Sequence, residues 1–207
     1  MKLYYAETIN PRKACAAARY LGSPVEFVRV DLAHGEHTKP KFAALNPNRK
    51  VPLLDADGKM IWEACAIMCF LARAAKSDLW PDDERQVDVI RWLSWEARHF
   101  LPYAGVFYFE HIIKPMFHIG PADEAAIEKA KPDFRRFAAV LNDHLKGRRY
   151  LVGDGLTIAD VAVGATLPYA EESHMPIGEF PEIVRWHDRL NELDAWREPF
   201  PATRAAA

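Results

Sequence analysis

Leu45-Asn46-Pro47-Asn48-Arg49-Lys50-Val51-Pro52-Leu53-Leu54-Asp55-Ala56-Asp57-Gly58-Lys59-Met60-Ile61-Trp62-Glu63-Ala64-Cys65-Ala66-Ile67 is the stretch that decides the fold. It reads as a strand, a tight hairpin, a second strand and the start of a helix. Val51 to Leu54 is an apolar run ended by Asp55-Ala56-Asp57-Gly58, whose glycine can take the positive φ of a tight turn, so Lys59 to Trp62 folds back as the partner strand. Pro52 has no amide donor and suits an edge or a specialised conformation, one option being a cis Val51-Pro52 bond. With a cis bond, the Val51 N–H and C=O are expected to face outward, ready to pair with an extended peptide. Glu63 precedes a helical segment whose first N–H groups can hold a carboxylate. The combination suits a small peptide-like ligand carrying an amine and a carboxylate; an ordinary hairpin with a charged residue before a helix is the alternative.

Around this stretch, 207 residues that are half hydrophobic are enough for one or two compact domains with a sizeable core. The 27 basic and 29 acidic residues are mixed along the chain, which leaves no electrostatic footprint for nucleic acid or an anionic membrane. Lys2-Leu3-Tyr4-Tyr5 enters a strand pattern at once and no apolar run reaches membrane-spanning length, so the cytoplasm is the expected compartment. Cys15, Cys65 and Cys69 form no C-x-x-C pair, so any redox thiol is expected to come from outside the chain. Cys65 and Cys69 share a helical face with apolar neighbours and read as packed small side chains, not metal ligands. His34 and His37 flank Gly35 and read as loop residues.

Leu3 to Ala6 reads as a strand, Pro11 to Leu21 as a helix closed by Gly22, and Val25 to Leu32 as a second strand. With a helical turn near Pro40 to Leu45, the hairpin, and a helix from Ala64 to about Ala75, the order is β-α-β-α-β-β-α. Beyond Trp80-Pro81 the pattern is helical throughout. Glu84 to about Glu110 is expected to kink at Pro102, and Asp123 to Lys146 to bend or split at Pro132. Thr157-Ile158-Ala159-Asp160 matches a capping box that starts a buried helix, and a last helix runs from Pro181 to about Leu193.

A β-α-β-α-β-β-α domain with Val51-Pro52 before its third strand, joined to a helical domain with a Thr-x-x-Asp capping box, resembles the cytosolic glutathione transferases, bacterial-type members in particular. Three segments carry the resemblance: Asn46-Pro47-Asn48-x-Lys50-Val51-Pro52-x-Leu54, Glu63-x-x-Ala66-Ile67, and Gly153-Asp154-x-Leu156-Thr157-Ile158-Ala159-Asp160. It implies an α/β plus all-α protein: a thioredoxin-like, glutathione-binding domain over residues 1–78 and a helical-bundle domain over 84–207 that contributes the acceptor-substrate site. By resemblance Val51, across the cis Pro52, pairs with the cysteinyl part of glutathione, and Glu63 holds the γ-glutamyl amine. Position 64, usually Ser or Thr, is Ala64, which leaves only backbone N–H and the helix N-terminus for the γ-glutamyl carboxylate. A lost hydrogen bond to a charged group weakens binding by about 1.5 to 3 kcal/mol. His37 and Lys50 resemble residues that approach the glycine carboxylate; a solvated role is the alternative for each.

The family activates the thiol at the start of the first helix, where this chain has Thr8-Ile9-Asn10-Pro11-Arg12-Lys13. Thr8 matches the hydroxyl position of serine-type members, and Thr8-x-Asn10 resembles the Thr-x-Asn turn of Nu-class relatives, so Thr8 is the first candidate and Asn10 the second. A thiol of pKa near 8.5 is only about 3% ionised at pH 7, and lowering it by about two units takes roughly 2.7 kcal/mol of anion stabilisation. A hydroxyl, an amide and a helix N-terminus can supply it. The rival readings are structural: Asn10 before Pro11 has the signature of a helix N-cap, and Thr8 of a turn residue. Tyr103 and Phe107 are the candidates for the acceptor site, with plain core as the alternative.

The resemblance implies a homodimeric glutathione transferase with glutathione as co-substrate, no metal, and an electrophile, peroxide or disulfide as the second substrate. Glutathione-dependent disulfide reduction and a non-catalytic ligand- or protein-binding module of the same fold are the alternatives.

Overall fold

The computed structural model describes residues 1–202, arranged as two compact units. One comprises Met1–Ser77 together with residues 193–202; the other is Asp78–Glu192. The segment from Leu193, expected to continue the helical domain, therefore packs with the first unit.

The first unit contains β1 (Lys2–Tyr5), α1 (Ile9–Tyr20), β2 (Glu26–Arg29), α2 (Pro40–Ala43), β3 (Leu53–Ala56), β4 (Lys59–Trp62) and α3 (Ala64–Ala74). Its sheet has the order β2-β1-β3-β4, with β1 parallel to β2 and the other pairs antiparallel. Strand alternation divides the core: Leu3, Tyr5 and Leu54 pack with Ala14, Cys15, Ala18, Ile67 and Leu71 of α1 and α3, while Leu53 packs on the other face with Val30 and Phe42. β2 is shorter than its apolar pattern suggested because it pairs residue for residue with a four-residue β1. β3 likewise starts at Leu53, after the Val51-Pro52 bond, which is cis as the sequence suggested. The hairpin turn takes the expected form, with Asp57 and Gly58 at φ 54° and 96° and the Gly58 N–H donating to Asp55 Oδ1 at 2.7 Å.

The second unit holds α4 (Arg85–Trp95), α5 (Leu101–Tyr108), α6 (Lys114–Met116), α7 (Glu124–His144), α8 (Ile158–Val163) and α9 (Pro181–Leu190); α10 (Asp194–Arg197) belongs to the first. Just before Pro102, where a kink was expected, the helix widens into a π turn at Glu96–Phe100, and a second π turn, Phe109–Ile113, precedes Pro115. A wider turn leaves room for a ring that would otherwise strike the carbonyl four residues back. Pro132 lies inside α7, which runs unsplit from its Asp123 cap. No helix among the described residues is long and apolar enough to cross a membrane.

The capping box closes as expected, and Asp160 does more than cap. Its wholly buried carboxylate accepts from the Leu151 and Thr157 backbone N–H groups (2.8 and 2.9 Å), the Thr157 hydroxyl (3.0 Å) and the Trp186 indole N–H (3.1 Å), tying α8 to α9 and the loop before it. Burial outweighs these donors and pushes its pKa from 3.8 up to about 6. Between those values the folded protein keeps a proton that the unfolded chain has released. The stability from this group is therefore fully present below about pH 4 and is lost as pH rises through 6, on the order of 3 kcal/mol. Asp160→Asn turns an amide donor towards N–H groups and is expected to cost about 2 to 4 kcal/mol at pH 7 in urea unfolding, with the deficit against wild type growing by about 3 kcal/mol at pH 4.

Candidate functional site

Three segments of the first unit converge on a cleft of about 130 Å³: the first turn of α1 through Asn10, the loop 46–52, and the β4–α3 junction through Trp62, Glu63 and Ala64. Lys50, Val51, Pro52, Glu63, Ala64 and Asn10 are thus brought together as lining residues.

The loop is held from inside by Asn46, which is 1% exposed. Its side-chain oxygen accepts from the Asn48 N–H and amide (3.0 and 3.1 Å), and its Nδ2 donates to the Lys50 carbonyl at 2.7 Å. These bonds fix the chain immediately before Val51, with Arg49 at φ 52°. Asn46 was visible in the decisive stretch but not assigned a role, because a buried amide bonding to its own loop cannot be told from a turn residue by composition.

Across the cleft, Glu63 is the N-cap of α3, with its backbone at φ 72°, ψ 121° and its carbonyl accepting from Ile67 N at 3.0 Å. A side chain at such positive φ costs about 1 to 3 kcal/mol, and strain of this kind collects at binding sites. Glu63 makes no side-chain cap bond to its helix. Neither Glu63 nor Lys50 forms an ion pair among the described residues, so the cleft presents one anion and one cation that do not neutralise each other. The first turn of α3 adds N–H groups without intrahelical acceptors.

Thr8 is the N-cap of α1, in extended conformation (φ −132°, ψ 166°), and its hydroxyl makes no capping bond. Its N–H donates to the Ala6 carbonyl (2.7 Å) and its carbonyl accepts from Arg12 N (2.9 Å). Asn10 is therefore not the cap: it is the second helical residue, exposed, with Pro11 third. Proline is tolerated anywhere in the first turn, where N–H groups lack acceptors, so Pro11 did not fix the helix start. Thr8 lies two residues before Asn10 and is not itself one of the residues lining the cleft.

His37 is not gathered with these residues. It sits in the short turn Glu36–Thr38 after Gly35, with Nδ1 buried and lacking a hydrogen-bond partner. In the second unit, Tyr103 and Phe107 share one face of α5 that packs on α7. Tyr103 is half-buried and stacked on Phe137 (5.6 Å), whereas Phe107 has no exposed surface and meets Phe134 edge-on (5.2 Å). Phe107, expected to wall an acceptor site, has no surface to offer one. An exposed aromatic was overlooked: Trp62, 44% exposed, lines the cleft beside Glu63.

Neither Cys15 nor Cys69 lines the cleft. Burial pushes the Cys15 thiol far above its ordinary range, and Cys69 is raised for the same reason.

Comparison with known proteins matches two parts of the chain. Residues 1–73 match the family model "Glutathione S-transferase, N-terminal domain" and residues 98–194 match "Glutathione S-transferase, C-terminal domain". Glutathione S-transferase 3 of Zea mays is 32% identical over 89% of this chain and 84% of its own, and the probable glutathione S-transferase GSTF2 of Oryza sativa subsp. japonica is 29% identical over 90% and 89%. Among solved structures, glutathione transferase F7 from Populus trichocarpa superposes with a TM-score of 0.88 over 96% of both chains at 23% identity, which shows the fold. A possible glutathione S-transferase from Rhodopseudomonas palustris superposes at 0.83 with 27% identity, over 97% of this chain and 96% of its own.

Asn46→Ala leaves the Asn48 N–H and the Lys50 carbonyl without their partner and is expected to cost about 2 to 3 kcal/mol of stability, measured by urea unfolding.

Proposed function

The chain belongs to the glutathione S-transferase family, and we propose that it binds glutathione in the cleft formed by residues 46–64 and activates the glutathione thiol with Thr8. The observation that carries this reading is the pair of unneutralised charges, Lys50 and Glu63, on one small cleft beside a helix N-terminus. Glutathione is a zwitterion whose ammonium suits Glu63 and whose carboxylates suit Lys50 and the first turn of α3. Val51 stands between them to pair with the peptide backbone, and Ala64 leaves the γ-glutamyl carboxylate to N–H groups alone. His37, in the turn Glu36–Thr38 outside the cleft lining, is a further candidate for the glycine carboxylate.

Thr8 suits the thiolate because its hydroxyl is not used in capping, and the α1 N-terminus adds its dipole. In the reaction, the hydroxyl donates to the sulfur anion and holds it ionised at neutral pH. The thiolate then attacks an electrophilic carbon, displacing a leaving group or adding across a polarised double bond, or attacks a peroxide oxygen, breaking the O–O bond to release an alcohol and leave a glutathione sulfenic acid that a second glutathione converts to the disulfide with loss of water. Asn10, at the cleft, is the second donor in this scheme. The Thr-x-Asn turn makes the thiolate site Nu-like in its chemistry, although the maize and rice relatives are plant proteins.

Disulfide reduction is the second reading, favoured by the raised thiols of Cys15 and Cys69. In this reading two glutathione molecules supply the thiols and reduce one disulfide, giving two thiols and oxidised glutathione. We further propose a cytoplasmic homodimer with Tyr103 in the acceptor region. Val87 and Ile90, 72% and 52% exposed on one face of α4, are an apolar surface suited to a second subunit.

Glu63→Gln keeps shape and removes charge, so the glutathione Kd by calorimetry is expected to rise about tenfold, equal to about 1.4 kcal/mol. Thr8→Ala is expected to lower kcat with an aryl halide by about 10²-fold while KM for glutathione moves by less than about threefold, and Thr8→Ser to restore most of it. Turnover of a hydroxyethyl disulfide far above that of the aryl halide favours the second reading. A Thr8→Ala variant with wild-type turnover on both substrates removes Thr8 from the mechanism.

A further inference from the structure

Residues 193–200 return from the second unit's sequence to pack on the first unit, where they bond to two arginines of α1 and stack on Tyr5 of β1, the two elements that flank Thr8. Arg12, 5% exposed, donates through its guanidinium to the Trp196 carbonyl and lies 5.2 Å from the centre of the Trp196 ring. Two turns further along α1, Arg19 donates to the Phe200 carbonyl at 3.1 Å and to the Glu198 carbonyl. On the strand side, the Phe200 ring stacks on Tyr5 at 5.8 Å and 15°.

Tyr5 is the last residue of β1, and the three-residue connection Ala6-Glu7-Thr8 leads from it into α1. Arg12 N bonds to the Thr8 carbonyl at 2.9 Å, so the connection is gripped at both ends by residues that the returning segment touches. A buried arginine is a costly way to fasten two elements when an apolar contact would do. Its planar fork both stacks on the indole and reaches a carbonyl in the last turn of α10, which has no acceptor role within so short a helix.

We propose that residues 193–200 are a brace that fixes the position of the Thr8 hydroxyl, with Arg12 and Phe200 as positioning residues for thiolate formation; this rests on the reading of Thr8 as the activating group. A hydroxyl stabilises a sulfur anion only at hydrogen-bond distance, and displacement by about 1 Å at a reacting centre costs up to about 10²-fold in rate. Loosening either grip lets the connection move without altering the cleft residues Lys50, Val51 and Glu63. The brace therefore acts on ionisation and kcat, and leaves glutathione binding alone.

The test uses Phe200→Leu, which removes stacking from a half-buried ring, with Phe200→Tyr as the conservative control and Arg12→Lys as the second grip. Amide hydrogen exchange over residues 6–12 is expected to quicken about tenfold in Phe200→Leu and Arg12→Lys and to stay at the wild-type rate in Phe200→Tyr, with exchange in α3 unchanged. The pH profile of kcat/KM is expected to shift to higher pH in the same two variants, kcat falling about five- to tenfold while KM for glutathione stays within about twofold. Unchanged exchange over residues 6–12 overturns the brace, whatever Thr8 does. Quickened exchange with an unmoved pH profile overturns its role in thiolate formation. Thr8→Ala, run in parallel, separates the two readings: if its own profile is unmoved, it is the assignment of Thr8 that fails.

Discussion

Asn46 puts one buried side-chain amide against the backbone of its own loop at the point where the chain must turn from α2 into β3. That loop sets where Lys50 and Val51 stand, and β3 then pairs with β1 on one side and β4 on the other. β4 ends one residue before Glu63, which caps α3. Both walls of the cleft are thus registered through the same hairpin, and its charges are kept apart by backbone geometry. Opposite charges that were free to meet would neutralise each other and offer a zwitterionic ligand nothing; the strained backbone of Glu63 is consistent with a residue held in place for its side chain.

The sequence made this architecture legible where local chemistry has one solution. Asp57-Gly58 forms the hairpin turn, Thr157-x-x-Asp160 closes its box, and Val51-Pro52 is cis. Legibility failed where local signals were degenerate or partners were distant. Pro11 suits any position of a helix's first turn, so the cap could be placed at Asn10 when it belongs to Thr8. Pro102 and Pro115 follow π turns that no periodicity announces. The face of α5 carrying Tyr103 and Phe107 is aromatic in either a core or a ligand wall, and only packing against Phe134 shows Phe107 to be core. The bond from Arg12 to Trp196 spans 184 positions, and nothing near Arg12 in sequence points to it.

Burial pushes the thiols of Cys15 and Cys69 up, and in the proposed function the reactive sulfur is that of bound glutathione. What the protein supplies is a hydroxyl not committed to capping, a helix N-terminus, and a cleft whose charges match both ends of a peptide-like zwitterion. In the proposed function, Ala64 in place of a hydroxyl leaves one end of that recognition to backbone N–H groups, and Glu63 and Lys50 are the charged contributors to affinity.

The most direct test of this account follows the ultraviolet absorbance of the glutathione thiolate bound to the wild-type protein as pH is varied. A bound thiol that ionises about two units below its free value of roughly 8.5, close to neutrality, is the result expected from the Thr8 hydroxyl and the α1 N-terminus acting together. Saturating glutathione whose thiol still titrates near its free value would contradict the central claim that this cleft holds the ligand where those donors reach its sulfur.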